Sequence, residues 1–246
     1  MGGTVSRETG PAVRLAARAA GLGAPIGGDA AAGLIALLDR IALEPQNLTA
    51  IQGLDEGIDR HLLDSLVALA HPRLAEATAL VDLGSGAGFP GLALAAARPG
   101  LSVTLVESER RKADWLQRAS AGFPNVRVVA ERSEHLAAAE REAFALAVAR
   151  ALGPAPVALE LAAPLVSVGG AVLLWRGGTA EPQAEADAAR AAQLLGLEPE
   201  PPVAVQPFPG ARRRLQSFAK VRPTPERYPR RAGRASSRPL GASSRR

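Results

Sequence analysis

Cysteine is absent from the 246 residues. That excludes a disulfide scaffold, a thiolate-held zinc or iron–sulfur centre and a cysteine nucleophile. Histidine occurs three times at scattered positions, so a histidine-based metal site is not expected. Aromatic residues make up 3%, too few for nucleic-acid binding on rows of stacking rings. Long hydrophobic runs are also missing. The longest apolar run without a charge, Leu161 to Trp175, falls short of the roughly 20 residues a membrane span needs. It also contains Pro164 and a Gly-Gly pair. Gly2 to Gly10 is polar and Gly-rich, without the apolar centre of a signal peptide, so a cytoplasmic location is expected.

What is present is apolar mass and one-sided charge. Apolar residues reach 47%, enough for a sizeable core and too many for a wholly disordered chain. The net charge is +5, yet Arg222 to Arg246 carries eight arginines and one glutamate, a net of +7, so the rest sums to −2. The basic character therefore belongs to a tail of Arg, Ser, Pro, Gly and Ala. Without apolar periodicity, residues 222–246 are expected to be disordered and, being basic, to add phosphate contacts to any nucleic acid bound.

Hydrophobic spacing organises the remainder. Met1 to Pro11 reads as frayed, and Ala12 to Ala20 as a short helix. Asp29 is placed to cap a helix from about Ala30 to Leu43, with Leu34, Leu37, Leu38 and Ile41 on one face and Pro45 ending it. Asp55 to Ala70 reads as a second amphipathic helix, closed by Pro72. From residue 79, short apolar runs alternate with stretches long enough for crossover helices: Ala79 to Leu83, Ser102 to Glu107, Val126 to Ala130, Ala145 to Ala149 and Ala171 to Trp175. This predicts an α/β fold with a Rossmann-like, mostly parallel sheet. Pro202 to Gln206 and Leu215 to Val221 would form an antiparallel hairpin at its edge. The expected units are N-terminal helices (1–77), the sheet domain (78–221) and the tail (222–246).

The most informative segment is Leu80 to Gly91, in which a strand runs into Gly84, Gly86 and Gly88 and then an Ala-rich helix. Glycine lets the chain turn sharply and lets a ligand approach the backbone. The dinucleotide fingerprint G-x-G-x-x-G would require glycine where Phe89 stands. Asp82, just before the loop, would repel a diphosphate. It can accept from a cationic ligand or brace the loop. The second strand ends at Glu107, 21 residues after Gly86, where an acidic side chain can hold both hydroxyls of a ribose. A ribose diol, an adenine and a cationic amino acid without phosphate describe S-adenosylmethionine.

Further residues make a resemblance specific. Asn47 to Ile51, Arg60 to Ser65, the loop ending Pro90-Gly91, Glu107 to Lys112, Glu131 to Glu134, Ala149 to Ala151 and Trp175 to Gly177 occur in that order. Together they resemble the RsmG (GidB) family, small-subunit ribosomal RNA guanine-N7 methyltransferases, over most of residues 30 to 221. The resemblance implies S-adenosylmethionine as cofactor and 16S RNA or the small subunit as partner; no metal, no membrane and a monomer are expected beside it. It implies a cofactor loop of Asp82, Gly84, Ser85, Gly86, Gly88 and Phe89, with Gly84 and Phe89 at the methionine end. Glu107 would hold the ribose, Ser133 and Glu134 would border the adenine, and Arg150 would line the cofactor and substrate cleft. Arg132 and Arg176 correspond to basic positions facing the RNA or the reacting site. The family usually has lysine where Arg176 stands, and a planar fork is not a point charge.

Blander roles stand beside these. Arg60 and Asp64, four apart on a helix, can be a surface ion pair, and His61 a packing residue. Trp115 is expected to pack a crossover helix on the sheet, and Trp175 is either core or cleft lining. The loop after the fourth strand, Ala149 to Pro156, lacks the N-P-P-Y type motif of exocyclic amino methylases. Guanine N7 has a free lone pair, so no obligatory general base is expected, only Arg132, Arg150 and Arg176 positioning the substrate. Alternatives are a non-catalytic RNA-binding protein on the same fold, a small-molecule methyltransferase, and, disfavoured by the loop, an NAD-dependent oxidoreductase.

Overall fold

A computed structural model describes residues 10–51, 53–179 and 181–241. The N-terminal stretch expected to be frayed lies, up to residue 9, outside the described residues, as does the end of the tail from residue 242.

The chain opens with helices α1 (Pro11–Gly21) and α2 (Gly28–Leu43). The apolar spacing of α2 buries Leu34, Leu37 and Leu38. Asp29 lies within its first turn and makes no capping bond; the N-cap is Gly27. The second expected helix, Asp55 to Ala70, is irregular. It runs α3 (Leu54–Gly57), a π-helical stretch Ile58–Leu63, α4 (Asp64–Leu66) and a 3₁₀ turn Val67–Ala70. Pro72 does not merely close this region, since it starts the short helix α5 (Pro72–Glu76).

The sheet follows. Strands β1 (Ala79–Leu83), β2 (Ser102–Val106), β3 (Val126–Val129), β4 (Phe144–Arg150) and β5 (Val166–Gly177) are parallel. They are connected by helices α6 (Gly91–Ala97), α7 (Arg110–Ala119), α8 (Ser133–Ala139) and α9 (Ala155–Ala162). After β5 come α10 (Pro182–Leu195), β6 (Leu197–Pro199), β7 (Val203–Val205) and β8 (Arg213–Lys220). The order is β3-β2-β1-β4-β5-β8-β6, with β7 also paired to β8. The antiparallel edge therefore contains the expected β7–β8 hairpin, but β8 lies inside it, against β5, and β6 was not expected. At three residues, β6 is too short to show alternation in the sequence.

Side-chain alternation divides the core in two. Leu80, Leu146 and Val148 face one layer with α2, the 54–70 segment, α6 and α7; Val81, Leu83, Ala147 and Ala149 face the other with α9 and α10. Helices on both faces explain why β1 is apolar nearly throughout. The N-terminal helices thus share the first core layer with the sheet. Among the described residues no helix is long and apolar enough to cross a membrane.

The expectation of a disordered tail is overturned through Gly241. Tyr228 and Ala235 are buried in the second core layer, and a last short helix, α11 (Arg234–Ser237), follows. The anchors are polar groups supplied by the body of the fold, of which Lys220 and Glu160 are buried. Lys220 Nζ donates to Thr224 Oγ1 at 2.6 Å, and Arg141 donates to the carbonyls of Thr224, Pro225 and Tyr228. Glu160, fully buried on α9, accepts from Arg230 N, Nε and Nη2 at 3.1, 2.7 and 2.5 Å. Composition registers only the arginine; the carboxylate awaiting it is 70 residues away. Glu160→Gln should therefore destabilise the chain by about 2 kcal/mol, the scale of losing a charged hydrogen bond. Urea unfolding would measure that loss, and early protease cleavage near Arg230 would accompany it.

Candidate active site

The loop after β1 turns under the carboxyl ends of the strands. There β1 lies between β2 and β4, the point where strand order reverses and α/β sheets bind ligands. Gly84, Gly86 and Gly88 all have positive φ, at 66°, 55° and 109°. A Cβ at Gly88 would stand 2.5 Å from Leu92, so this turn requires glycine. Two carboxylates shape the loop. Asp82 Oδ2 accepts from Gly91 N at 2.9 Å, while Asp82 Oδ1 is buried without a partner. Glu107 Oε2 accepts from Gly86 N at 3.0 Å and its Oε1 from Glu109 N at 2.8 Å. Ser85 Oγ donates back to the Asp82 carbonyl, and Trp115 Nε1 donates to Ala87 O. Trp115 is thus a buried packing residue that also braces the loop.

Asp82 is therefore a brace with one oxygen to spare. Burial, the largest influence, raises its pKa to about 7, against the Gly91 amide and Arg150, which lower it. Protonated Asp82 contributes stability that is full below about pH 4 and is lost as pH rises through about 7. Asp82→Asn has no such dependence. In thermal melts without ligand, this variant should gain on the native chain between pH 4 and pH 7 and hold a constant offset above.

Phe89 is buried and stacks on His61, ring centroids 4.7 Å apart and 12° from parallel. The Arg150 guanidinium lies 5.9 Å from the Phe89 centroid. His61 Nε2 is 3.1 Å from Thr49 Oγ1, which joins the two N-terminal signature segments, and its Nδ1 is buried without a partner. Burial, aided by the Arg150 charge, lowers the His61 pKa to about 4, so the ring is neutral at pH 7.

Asp64 is the hub of the cationic cleft. It is 4% exposed, and accepts from Arg150 Nη1 through Oδ2 and from Arg213 Nε through Oδ1, both at 3.0 Å. Its carbonyl accepts from Trp175 Nε1 at 2.6 Å. A cavity of about 450 Å³ opens here, lined by Arg60, His61, Asp64, Arg150, Trp175 and Arg213 among others. Trp175 thus belongs to the core and to the cleft wall. Arg60 does not pair with Asp64 as helical spacing suggested; it pairs with Glu56 at 2.9 Å. The π-helical stretch between them changes the angular step, and π turns are often found at functional sites.

The expected arginine triad does not converge. Arg150 belongs to the Asp64 cleft. Arg176 Nη1 donates to Glu185 at 2.8 Å, and Arg214 shares that carboxylate. Arg132 pairs with Glu134 at 3.1 Å at the start of α8, beside a second cavity of about 140 Å³ that also takes in Gly84 and Ser133. This cavity brings together residues assigned to the adenine end.

The family model described as rRNA small subunit methyltransferase G matches residues 33–205. The chain belongs to this family. It is 42% identical over 202 residues to ribosomal RNA small subunit methyltransferase G of Chloroflexus aggregans, covering 79% of this chain and 82% of that one. The Carboxydothermus hydrogenoformans relative of the same name is 38% identical, with 80% and 85% covered. Among solved structures, a Burkholderia thailandensis 1,6-didemethyltoxoflavin-N1-methyltransferase matches with TM-score 0.52 and 17% identity, over 81% of this chain and 93% of that one. Aeropyrum pernix fibrillarin with bound S-adenosyl-L-methionine also scores 0.52 at 18% identity, over 63% and 73%. At these identities the two show the fold, a class I methyltransferase sheet.

Family sequence patterns pointed to Arg60, His61 and Asp64 as a motif but not to their contacts. Arg213 was missed altogether. The only signal for it was the Arg212-Arg213-Arg214 run entering the last strand, which reads as surface charge.

Proposed function

We propose that this chain transfers the methyl group of S-adenosylmethionine to N7 of a specific guanine in small-subunit ribosomal RNA, in the cytoplasm. The observation that carries the reading is the adjacency of two dissimilar compartments. One is the glycine loop with its spare Asp82 oxygen and Glu107; the other is the cationic cleft around Asp64, Arg150 and Arg213. Phe89 and His61 form the wall between them.

The residues present fit the cofactor. The unpartnered Asp82 Oδ1 suits a cationic group, each Glu107 oxygen keeps an acceptor site for a hydroxyl, and a Cβ at Gly86 would meet only Gly84 O, at 3.8 Å. Asp82, Gly84, Ser85, Gly86, Gly88, Phe89 and Glu107 would hold it, with Ser133 and Glu134 at the adenine end. When bound, S-adenosylmethionine supplies an electrophilic methyl group.

The chain's own residues then need only orient and exclude water. Guanine N7 carries a lone pair, so no proton has to leave before attack. Neutral His61 offers a flat ring instead of a charge. Arg150, held by Asp64 and the Arg60 carbonyl, presents a fixed fork toward phosphate or the guanine O6 edge. Positioning of this kind supplies roughly 7–11 kcal/mol in favourable cases. Glu107, together with Asp82 when it is ionised, leaves a negative field that tolerates the cationic N7-methylguanine product.

The test is methyl transfer from labelled S-adenosylmethionine to small subunits of a strain lacking the modification, with the digested RNA mapped by mass spectrometry. Label at one guanine, as N7-methylguanine, is expected. Absence of label on subunits, alongside intact cofactor binding, would overturn the substrate assignment.

A further inference from the structure

The ordered C-terminal segment lies outside the region that the family model matches, 33–205, and yet it reaches the cofactor side of the site. From β8 the chain crosses α9, is clamped by Arg230 on the buried Glu160, and turns into α11. Two contacts then meet the adenine end. Gly233 N donates to Glu134 Oε1 at 3.1 Å, the same oxygen that takes Arg132 Nη2. Ser236 lines the 140 Å³ cavity, opposite Ser108, Arg132, Ser133, Glu134 and Leu152. The segment's far end is also fixed, by Arg190 Nε donating to Gly241 O at 2.9 Å. Burial alone would raise the Glu134 pKa, but Arg132 and the amides, Gly233 among them, hold it below the usual range. Glu134 is therefore an anionic acceptor with its orientation fixed partly from the C-terminal side.

We infer that residues 230–241 are a wall of the cofactor pocket, with Ser236 contacting the adenosine end and Gly233 orienting Glu134. The inference rests on the S-adenosylmethionine reading above. It assigns the arginine-rich segment to cofactor retention, where composition had suggested RNA contact. The arginine that anchors it is spent on Glu160, and the residue of the segment that lines the cavity is the small Ser236.

The experiment is calorimetric titration of the full chain with S-adenosylhomocysteine and with 5′-methylthioadenosine, which keeps the adenosine and lacks the amino acid. Ser236 is exposed at the edge of the cavity it lines, so Ser236→Leu brings bulk over the opening and should weaken both by about tenfold or more. Ser237→Leu, the same change at the next residue, which is also exposed but does not line the cavity, should leave both affinities unchanged. Hydrogen exchange on the native chain provides a readout free of any folding defect: S-adenosylhomocysteine should slow exchange across 230–241. Native-like affinity of Ser236→Leu, or unaltered exchange in that segment on binding, would overturn the inference and leave the methyltransferase reading standing. Failure of the native chain to bind S-adenosylhomocysteine would overturn that reading, and this inference with it.

Discussion

Asp64→Ala is expected to reduce methyl transfer by about 100-fold, the scale of losing the alignment of a positioning group. The carboxylate is the shared acceptor of Arg150 and Arg213, which arrive from β4 and β8, and its backbone carbonyl holds Trp175. Without it, two guanidinium groups lose their shared counter-ion in one cleft. Removing one partner of a buried pair costs roughly 3–5 kcal/mol. Arg213 is about a third exposed and can turn to solvent, so the lower end of that range is expected. Asp64→Asn keeps one acceptor oxygen and the shape, and should fall between. The measurements are kcat/KM on subunits and urea unfolding of each variant. An Asp64→Ala protein within a few-fold of native activity would remove the Asp64 cluster from the machinery. If Arg150 fixes the RNA, the loss should appear mainly in KM for the subunit, with S-adenosylhomocysteine affinity nearly unchanged.

Glu107→Ala is expected to do the reverse, weakening S-adenosylhomocysteine binding by about 100-fold with little effect on subunit binding. Each oxygen of Glu107 accepts one backbone N–H, from Gly86 and from Glu109, and hydrogen bonds to a charged acceptor contribute about 1.5–3 kcal/mol each. The variant frees the glycine loop and removes the ribose acceptor together. Glu107→Gln retains an acceptor oxygen toward only one of the two amides and should lose less. Calorimetry measures the affinities, and melts without ligand separate loss of site from loss of fold. An unchanged dissociation constant for Glu107→Ala would mean that the β2 end does not hold the ribose. The two variants thus act on separate compartments, one through the cofactor and one through the RNA.

The cofactor loop was legible because its determinants are local. Gly84, Gly86, Gly88 and Asp82 lie within one turn of chain, and their spacing reflects backbone conformation that only glycine adopts readily. Glu107 was legible for a related reason: strand–helix–strand geometry puts the end of β2 beside the end of β1 at a set separation. The sheet followed from apolar runs, whose two-sided burial leaves a strong mark in composition.

What the sequence left open depended on partners far along the chain. Asp64 could be paired with Arg60 on helical arithmetic, until the π-helical stretch rotated it toward Arg150 and Arg213, 86 and 149 residues away. Asp82 was open between brace and ligand partner; the structure makes it a brace with a spare oxygen. Arg132, Arg150 and Arg176 looked equivalent as cations at strand ends, and three different carboxylates now separate them.

By itself, then, the sequence determined the strand order's local units, the glycine loop, its acidic partner and the family. Each of these rests on short-range backbone geometry or on runs of one residue type. Tertiary structure alone decided which charges meet, and with that the cleft and the fate of the C-terminal segment. A charged side chain carries no mark of its partner, and desolvation makes the pairing matter only once the fold has buried one of them. Arg230 is an unremarked basic residue in composition and a structural anchor beside Glu160.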